Sequence, residues 1–277
     1  PSQKHFRVDR IPPRDALRLL VNRGTLLLIN EHILASGEVN EEHRQRIVRN
    51  TMKAIIGYGD ALLFFLGDYH WSYVERKRRM QMRQDIDPAF RNLYDEAAEF
   101  RLQPDYDAYM ERDLGAWMAE VRSTLEQVHL FCESCRLGVS NLQWEAYLSH
   151  AFRQAVLGEA RSMRAWARKA VTLLRSKRVP HEQGLWGRLA LRLNSGHDLF
   201  AIAYPAVAYG LEEPKHRHFA AHVLQSSDTN LATLRTAAVH RWCERIDTNA
   251  RSELRRWWVA STDSKTSPGA ASLKEAR

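Results

Sequence analysis

The sequence predicts an all-α protein, and three observations carry that prediction. Apolar residues recur with helical period along nearly the whole chain, and no period-2 alternation is sustained. No Asn-Gly or Asp-Gly hairpin turn occurs. Only 13 Gly and 9 Pro are spread over 277 residues, too few for a loop-rich β fold. The expectation is a bundle of about nine to eleven helices, in one or two packed subdomains.

Each helix has its own punctuation. Pro12-Pro13 open a first helix with proline at its start, which runs to about residue 35 before Gly37 ends it. Asn40 followed by Glu41-Glu42 is an N-cap with acids in the first turn of a second helix, which stops at Gly67. Ser72 and Glu75 have capping-box spacing and open a third. Asp87-Pro88 give a cap-plus-proline start for a fourth, to about 102, and Pro104 breaks the chain. A long periodic run covers 105–136 and ends at Gly138. Ser140 then caps a helix continuing to about 178, with a break near Gly158. Further helices are expected at 182–194, 197–211, 215–225, 228–246 and 248–260.

Charge divides the chain. Residues 1–150 hold 20 Lys and Arg against 22 Asp and Glu, whereas residues 151–277 hold 21 against 11. The expected organisation is a slightly acidic helical subdomain over 1–138, a basic one over 139–260, and a disordered tail over 261–277. Basic surfaces attract polyanions, although an arginine-rich helical surface also serves plain solubility. The longest apolar run, at 199–211, contains Pro205 and is too short to span a bilayer, so no membrane association is expected. Three cysteines make no disulfide framework, and a reducing cytoplasm is the expected setting.

The first two helices are apolar around much of their circumference and read as core. Embedded polar residues Asn22, Arg23, Lys53 and Asp60 would cost energy if buried without partners. Lys53 and Asp60 stand two turns apart on one helical face, where they could line a ligand groove or form a helix-to-helix ion pair. Arg23 and Arg76 are the candidate cations for Asp60, and Gly57 and Gly59 allow a close approach on that face. Beyond Gly67, Tyr69, His70, Trp71 and Tyr73 precede Arg76-Lys77-Arg78-Arg79. The aromatics could stack on a base while the basic turn and the helix start at Ser72 hold phosphate. The alternative is that the aromatics pack onto the second helix and the arginines face water.

The pattern Leu19-Leu20-x-Asn22-Arg23, Lys53-Ala54 and the run Gly59-Asp60-Ala61-Leu62 through Tyr69-His70-Trp71-Ser72-Tyr73 resembles a helical region of bacterial nucleotidyltransferase-like proteins. There such a region follows a catalytic domain and is similar to the HEPN-like helical partner or substrate domains. The resemblance covers roughly residues 12–80. The family's catalytic signature, a Gly-Ser or Gly-Gly turn before a strand with two metal-binding acids, has no counterpart here. The resemblance therefore implies either a helical portion that works with a separate nucleotidyltransferase domain or a paralogue that lost that domain, with no catalysis expected from this chain alone.

His129, Cys132 and Cys135 fall at i, i+3 and i+6, but nothing fixes a fourth ligand, so no metal or other cofactor is expected. A HEPN-type ribonuclease needs Arg followed four to six residues later by His. Arg175/His181, Arg192/His197, Arg217/His222 and Arg235/His240 have that spacing, and Arg122/His129 is one residue wider. With so many Arg and His in the chain, these spacings arise by chance about as often as they are seen. Ser195-Gly196-His197-Asp198 reads as a helix cap, and nucleophile elbows, Walker loops and dinucleotide turns are absent.

At 100° per residue, Arg153, Arg161, Arg164, Arg168, Arg175 and Arg178 fall on one stripe about 37 Å long. Guanidinium forks match phosphate oxygens, and the competing use of the stripe is salt-bridging to Glu96, Glu99, Glu111 and Asp113. The expected ligand-binding set is Lys53, Asp60, Tyr69, His70, Tyr73, Arg76, Arg161, Arg164 and Arg168. The expected function is to bind or position a nucleotide or nucleic acid for a nucleotidyltransferase-type protein. The alternatives are an interaction module, such as a homodimerisation or toxin–antitoxin-like partner, and a HEPN-type ribonuclease.

Overall fold

The computed structural model describes residues 11–37, 39–158, 171 and 184–245. Ten α-helices follow one another there with no strand among the described residues, and the bundle architecture matches the sequence expectation. They are α1 (Pro13–Ala35), α2 (Glu41–Phe65), α3 (Tyr73–Met82), α4 (Pro88–Leu102), α5 (Leu114–Leu137) and α6 (Trp144–Leu157). The last four are α7 (Gly184–Leu193), α8 (Gly196–Ala208), α9 (Pro214–Leu224) and α10 (Leu231–Arg245).

The caps explain most boundaries. Asn40 accepts from the His43 N–H while the Asn40 N–H reaches His43 Nδ1, closing a capping box at the start of α2. Ser72 caps α3, Asp87 caps α4 ahead of Pro88, and Ser195 caps α8. Two starts differ from the sequence expectation. The fifth helix does not begin at 105: Asp113 accepts from the N–H groups of Gly115 and Ala116 and sets the start of α5 at Leu114. The preceding stretch instead forms a short 3-10 turn at Asp107–Tyr109, whose Tyr106 and Tyr109 pack edge-on against Phe100. Ser140 caps nothing either; α6 starts four residues later, after Asn141 takes up a left-handed backbone conformation. The expected break near Gly158 coincides with the end of α6. The helix expected at 248–260 and the tail lie outside the described residues, as do Arg161, Arg164, Arg168, Arg175 and Arg178.

α1 and α2 form the central pair, and α1 also packs against α5, α8 and α10, while α2 also meets α3, α4 and α5. One contiguous core therefore runs from Leu17 on α1 to Cys243 on α10, crossing the boundary between the acidic and basic portions. Several polar groups inside it pair with one another. Asn30 donates to the Ile47 carbonyl and to Thr51, and Asn50 donates to Asn30, fastening α1 to α2. Trp242 of α10 donates to Asn22 of α1 at 2.9 Å.

A second buried network links α2 to α5 and α8. Tyr58 on α2 lies between the hydroxyls of Tyr204 on α8 at 3.2 Å and Tyr209 just beyond α8 at 2.8 Å. Tyr209 in turn meets Nδ1 of His129 on α5 at 2.8 Å. The His129 ring is enclosed by Tyr58, Trp144, Tyr204 and Tyr209. Along α5, Glu133 holds Arg136 through two hydrogen bonds of 2.8 and 2.6 Å.

Candidate ligand site

Two places in the fold gather charged side chains: the α2–α3 corner, which the sequence singles out, and a cleft between α1, α5 and α10, which it does not.

At the corner, Asp60 is 7% exposed and Arg76 is 3% exposed, and the two form a direct ion pair. Tyr94 of α4 donates to the other Asp60 oxygen at 3.0 Å. Burial pushes the Asp60 carboxyl up from its ordinary value, and Arg76, Tyr94 and the more distant Arg23 pull against that rise. The Arg76 guanidinium lies 4.0 Å from the Tyr73 ring centre and 5.2 Å from that of Tyr69. Both tyrosines are thus committed to a cation of the same chain. The close approach that Gly57 and Gly59 allow is used by side chains: the Arg23 stem lies against the first and the Tyr94 ring against the second.

The basic run on α3 is spent in the same way. Lys77 meets Asp95 and Glu99, Arg78 and Arg79 both meet Glu75, and Arg83 bridges Asp68 and Asp85. At the helix start, His70 accepts the Ser72 N–H at 3.1 Å and Ser72 accepts the Glu75 N–H. Of the aromatics in this turn, Trp71 stands out in solvent, 74% exposed. The structure therefore brings Asp60, Tyr69, Tyr73 and Arg76 into one closed cluster with His70 at its rim. Lys53 sits about 10 Å back along α2, half-buried.

Three of the four acids weighed as partners for the arginine stripe are engaged by other groups. Glu96 takes the Tyr109 hydroxyl at 2.5 Å, Glu99 takes Lys77, and Asp113 caps α5. Arg153, the one stripe residue described, is exposed. His129, Cys132 and Cys135 do not converge: the first two are buried and Cys135 is exposed, and no metal-holding group of His, Cys, Asp or Glu occurs among the described residues.

The cleft is built from α1, α5 and α10 and encloses about 710 Å³, within the usual range for small-molecule sites. Its walls are largely apolar, with Leu28, Leu34, Met118 and Val239 among the lining side chains. On this surface Glu31 of α1 is held between Arg122 of α5 and Arg235 of α10, the second at 3.1 Å. Arg235 also donates to the carbonyls of Val207 and Ala208, which end α8. Its guanidinium therefore ties α10 to both α1 and α8. Arg122 engages Glu31 through Nη2, and its remaining donors have no protein partner among the described residues. Burial and mutual repulsion weigh against the two positive charges, and the Glu31 carboxylate between them offsets both effects. Two guanidiniums facing one carboxylate leave an excess positive charge at the edge of an apolar cleft.

Sequence reasoning missed this site although a signal existed. Glu31 interrupts the apolar stretch of α1 as conspicuously as Asp60 interrupts that of α2. In the sequence Arg122 and Arg235 stand out only by their spacing to histidines; in the structure His129 is buried against Tyr209, while Arg122 turns to Glu31. Comparison of the chain with protein-family models, curated proteins and solved structures returns no match.

Proposed function

We propose that this chain is a helical binding module for a nucleotide, which it takes up in the cleft between α1, α5 and α10. The observation that carries the reading is Arg122, a half-buried guanidinium with donors to spare beside a second, immobilised arginine and a single carboxylate. A buried or half-buried cation with unused donors favours an oxyanion. The apolar walls suit a base, and on the resemblance proposed from residues 12–80 the oxyanion is read as that of a nucleotide. The work of such a module is to hold the nucleotide for a catalytic partner domain. Thermal melts of the chain with ribonucleotides and a short RNA test the reading. A nucleotide-dependent rise in Tm that disappears in Arg122→Gln is expected, and the absence of any shift across the set would reject it.

The interaction-module reading draws on different residues. Trp71, Val74 and Met82 are 74%, 65% and 64% exposed and follow one side of α3. Concentration-dependent self-association in sedimentation, abolished by Trp71→Ala, would favour this reading.

A further inference from the structure

We infer that the cleft selects a singly charged oxyanion, of the phosphodiester kind, over a phosphomonoester dianion, and that Glu31 is the residue that sets this selectivity. The inference rests on the nucleotide reading above and adds the charge state of the ligand to it.

The charge count on the cleft wall is the starting point. Glu31, His32, Arg122 and Arg235 are the titratable side chains among its described lining residues. Burial lowers the His32 pKa, so at pH 8 the imidazole is neutral. Two guanidiniums and one carboxylate then leave one positive charge unmatched. A monoanion brings that count to zero. A dianion leaves three negative charges facing two positive ones, and the side chains concerned are only 18–24% exposed. Partial burial weakens solvent screening, so the unmatched charge is felt more strongly there than at an open surface.

Geometry assigns distinct roles to the two arginines. Arg235 has its Nε and Nη2 hydrogen-bonded to the end of α8 and its Nη1 beside Glu31, so it cannot turn toward a ligand without uncapping that helix. It positions Glu31. Arg122 holds Glu31 through one nitrogen and keeps the donors that an incoming oxyanion needs. The carboxylate sits between them as an internal competitor for the same cation. A ligand oxyanion must share Arg122 with Glu31, and the greater the ligand's charge, the greater the repulsion from Glu31.

The test is calorimetric titration of the full chain at pH 8 with the 5′-monophosphates and 3′,5′-cyclic monophosphates of adenosine, guanosine, cytidine and uridine. At that pH the 5′-monophosphate is a dianion, since its second pKa is near 6, whereas the cyclic diester carries one charge. For the base that binds, the cyclic form should be tighter by about tenfold. Glu31→Gln should invert the order by strengthening the 5′-monophosphate, and Arg122→Gln should remove binding of both. A wild-type chain that prefers the 5′-monophosphate, or a Glu31→Gln ratio equal to that of wild type, overturns the inference and leaves the nucleotide reading standing. Failure of every nucleotide to bind wild type, or binding that survives Arg122→Gln, overturns that reading and the inference with it. If Glu31→Gln does not fold, the wild-type comparison decides alone.

Discussion

Replacing Asp60 by alanine would leave the Arg76 guanidinium inside the protein with its charge intact and its counter-ion gone. Arg76 is 3% exposed and walled by Tyr69, Tyr73 and the α2 surface, so water cannot replace the carboxylate without local unfolding. Tyr94 would lose its acceptor in the same step. Orphaning one member of a buried pair typically costs about 3–5 kcal/mol. For a chain of this size each kcal/mol lowers Tm by roughly 2–4 °C, so a fall of roughly 6–20 °C is expected. Thermal melts followed by far-ultraviolet circular dichroism, with urea unfolding alongside, would measure it. Asp60→Leu combined with Arg76→Met should recover most of the loss, because an apolar pair of similar volume replaces both charges together. If Asp60→Ala shifts Tm by less than about 2 °C, or the double variant loses the sum of the two single losses, the pair is not the structural tie described here.

Three further outcomes can be checked. Gly24→Ala would place a methyl group against the Tyr204 and Tyr58 hydroxyls, so a loss of about 1–3 kcal/mol or more is expected in urea unfolding, and a neutral result would contradict the close approach. Burial lowers the pKa of His129 from its ordinary 6.5. The unfolded chain then binds a proton at a higher pH than the folded one does, and stability present above about pH 6.5 drains away as pH falls toward the folded value. His129→Gln should flatten the slope of stability against pH in that window by up to about 1.4 kcal/mol per pH unit, and an unchanged slope would show that other groups produce it. Of the three cysteines, exposed Cys135 should react with a maleimide in the native state while buried Cys132 and Cys243 wait for unfolding. Equal labelling rates would contradict their burial.

The local signals in the sequence located helices well wherever a capping side chain sits next to the helix it starts. Asn40, Ser72, Asp87 and Ser195 are such cases. The signal failed at 105–113, where apolar residues continue with helical spacing but Tyr106 and Tyr109 are recruited sideways to Phe100 and Asp113 captures the next two N–H groups. That outcome depends on a neighbouring helix, which no local pattern contains. The same holds for sites. Asp60 stood out because a carboxylate in an apolar helix demands a cation, and Arg76 could be named from sequence because it lies one short turn beyond. The partners of Glu31 are 91 and 204 positions further along the chain, and only the fold reveals that both reach it. The basic run on α3 misled for the opposite reason. Its carboxylate partners lie close by in the chain, yet a run of positive charge reads as free until each partner is seen in place.

The row of hydroxyls from Tyr204 to His129 has a direction. Each phenol carries one proton, so the bond donated at one end settles every bond after it. If Nδ1 of His129 bore a proton, the donors would run outward and leave the last hydrogen, on Tyr204, with no acceptor in the row. Its unprotonated Nε2 would also face the Glu133 carboxylate 3.8 Å away, lone pair against negative oxygen. The opposite order gives every hydroxyl in the row an acceptor: Tyr204 gives to Tyr58, Tyr58 to Tyr209 and Tyr209 to Nδ1, while a hydrogen on Nε2 meets the Glu133 carboxylate only at 3.8 Å, as charge attraction and not as a hydrogen bond. Four aromatic side chains from α2, α5, α8 and the turn after it thereby share a single proton ordering, like dominoes fallen one way. Removing an inner hydroxyl, that of Tyr58 or Tyr209, does not merely delete a bond. It cuts the row into two pieces, and the piece severed from His129 no longer has anything to tell it which way to point.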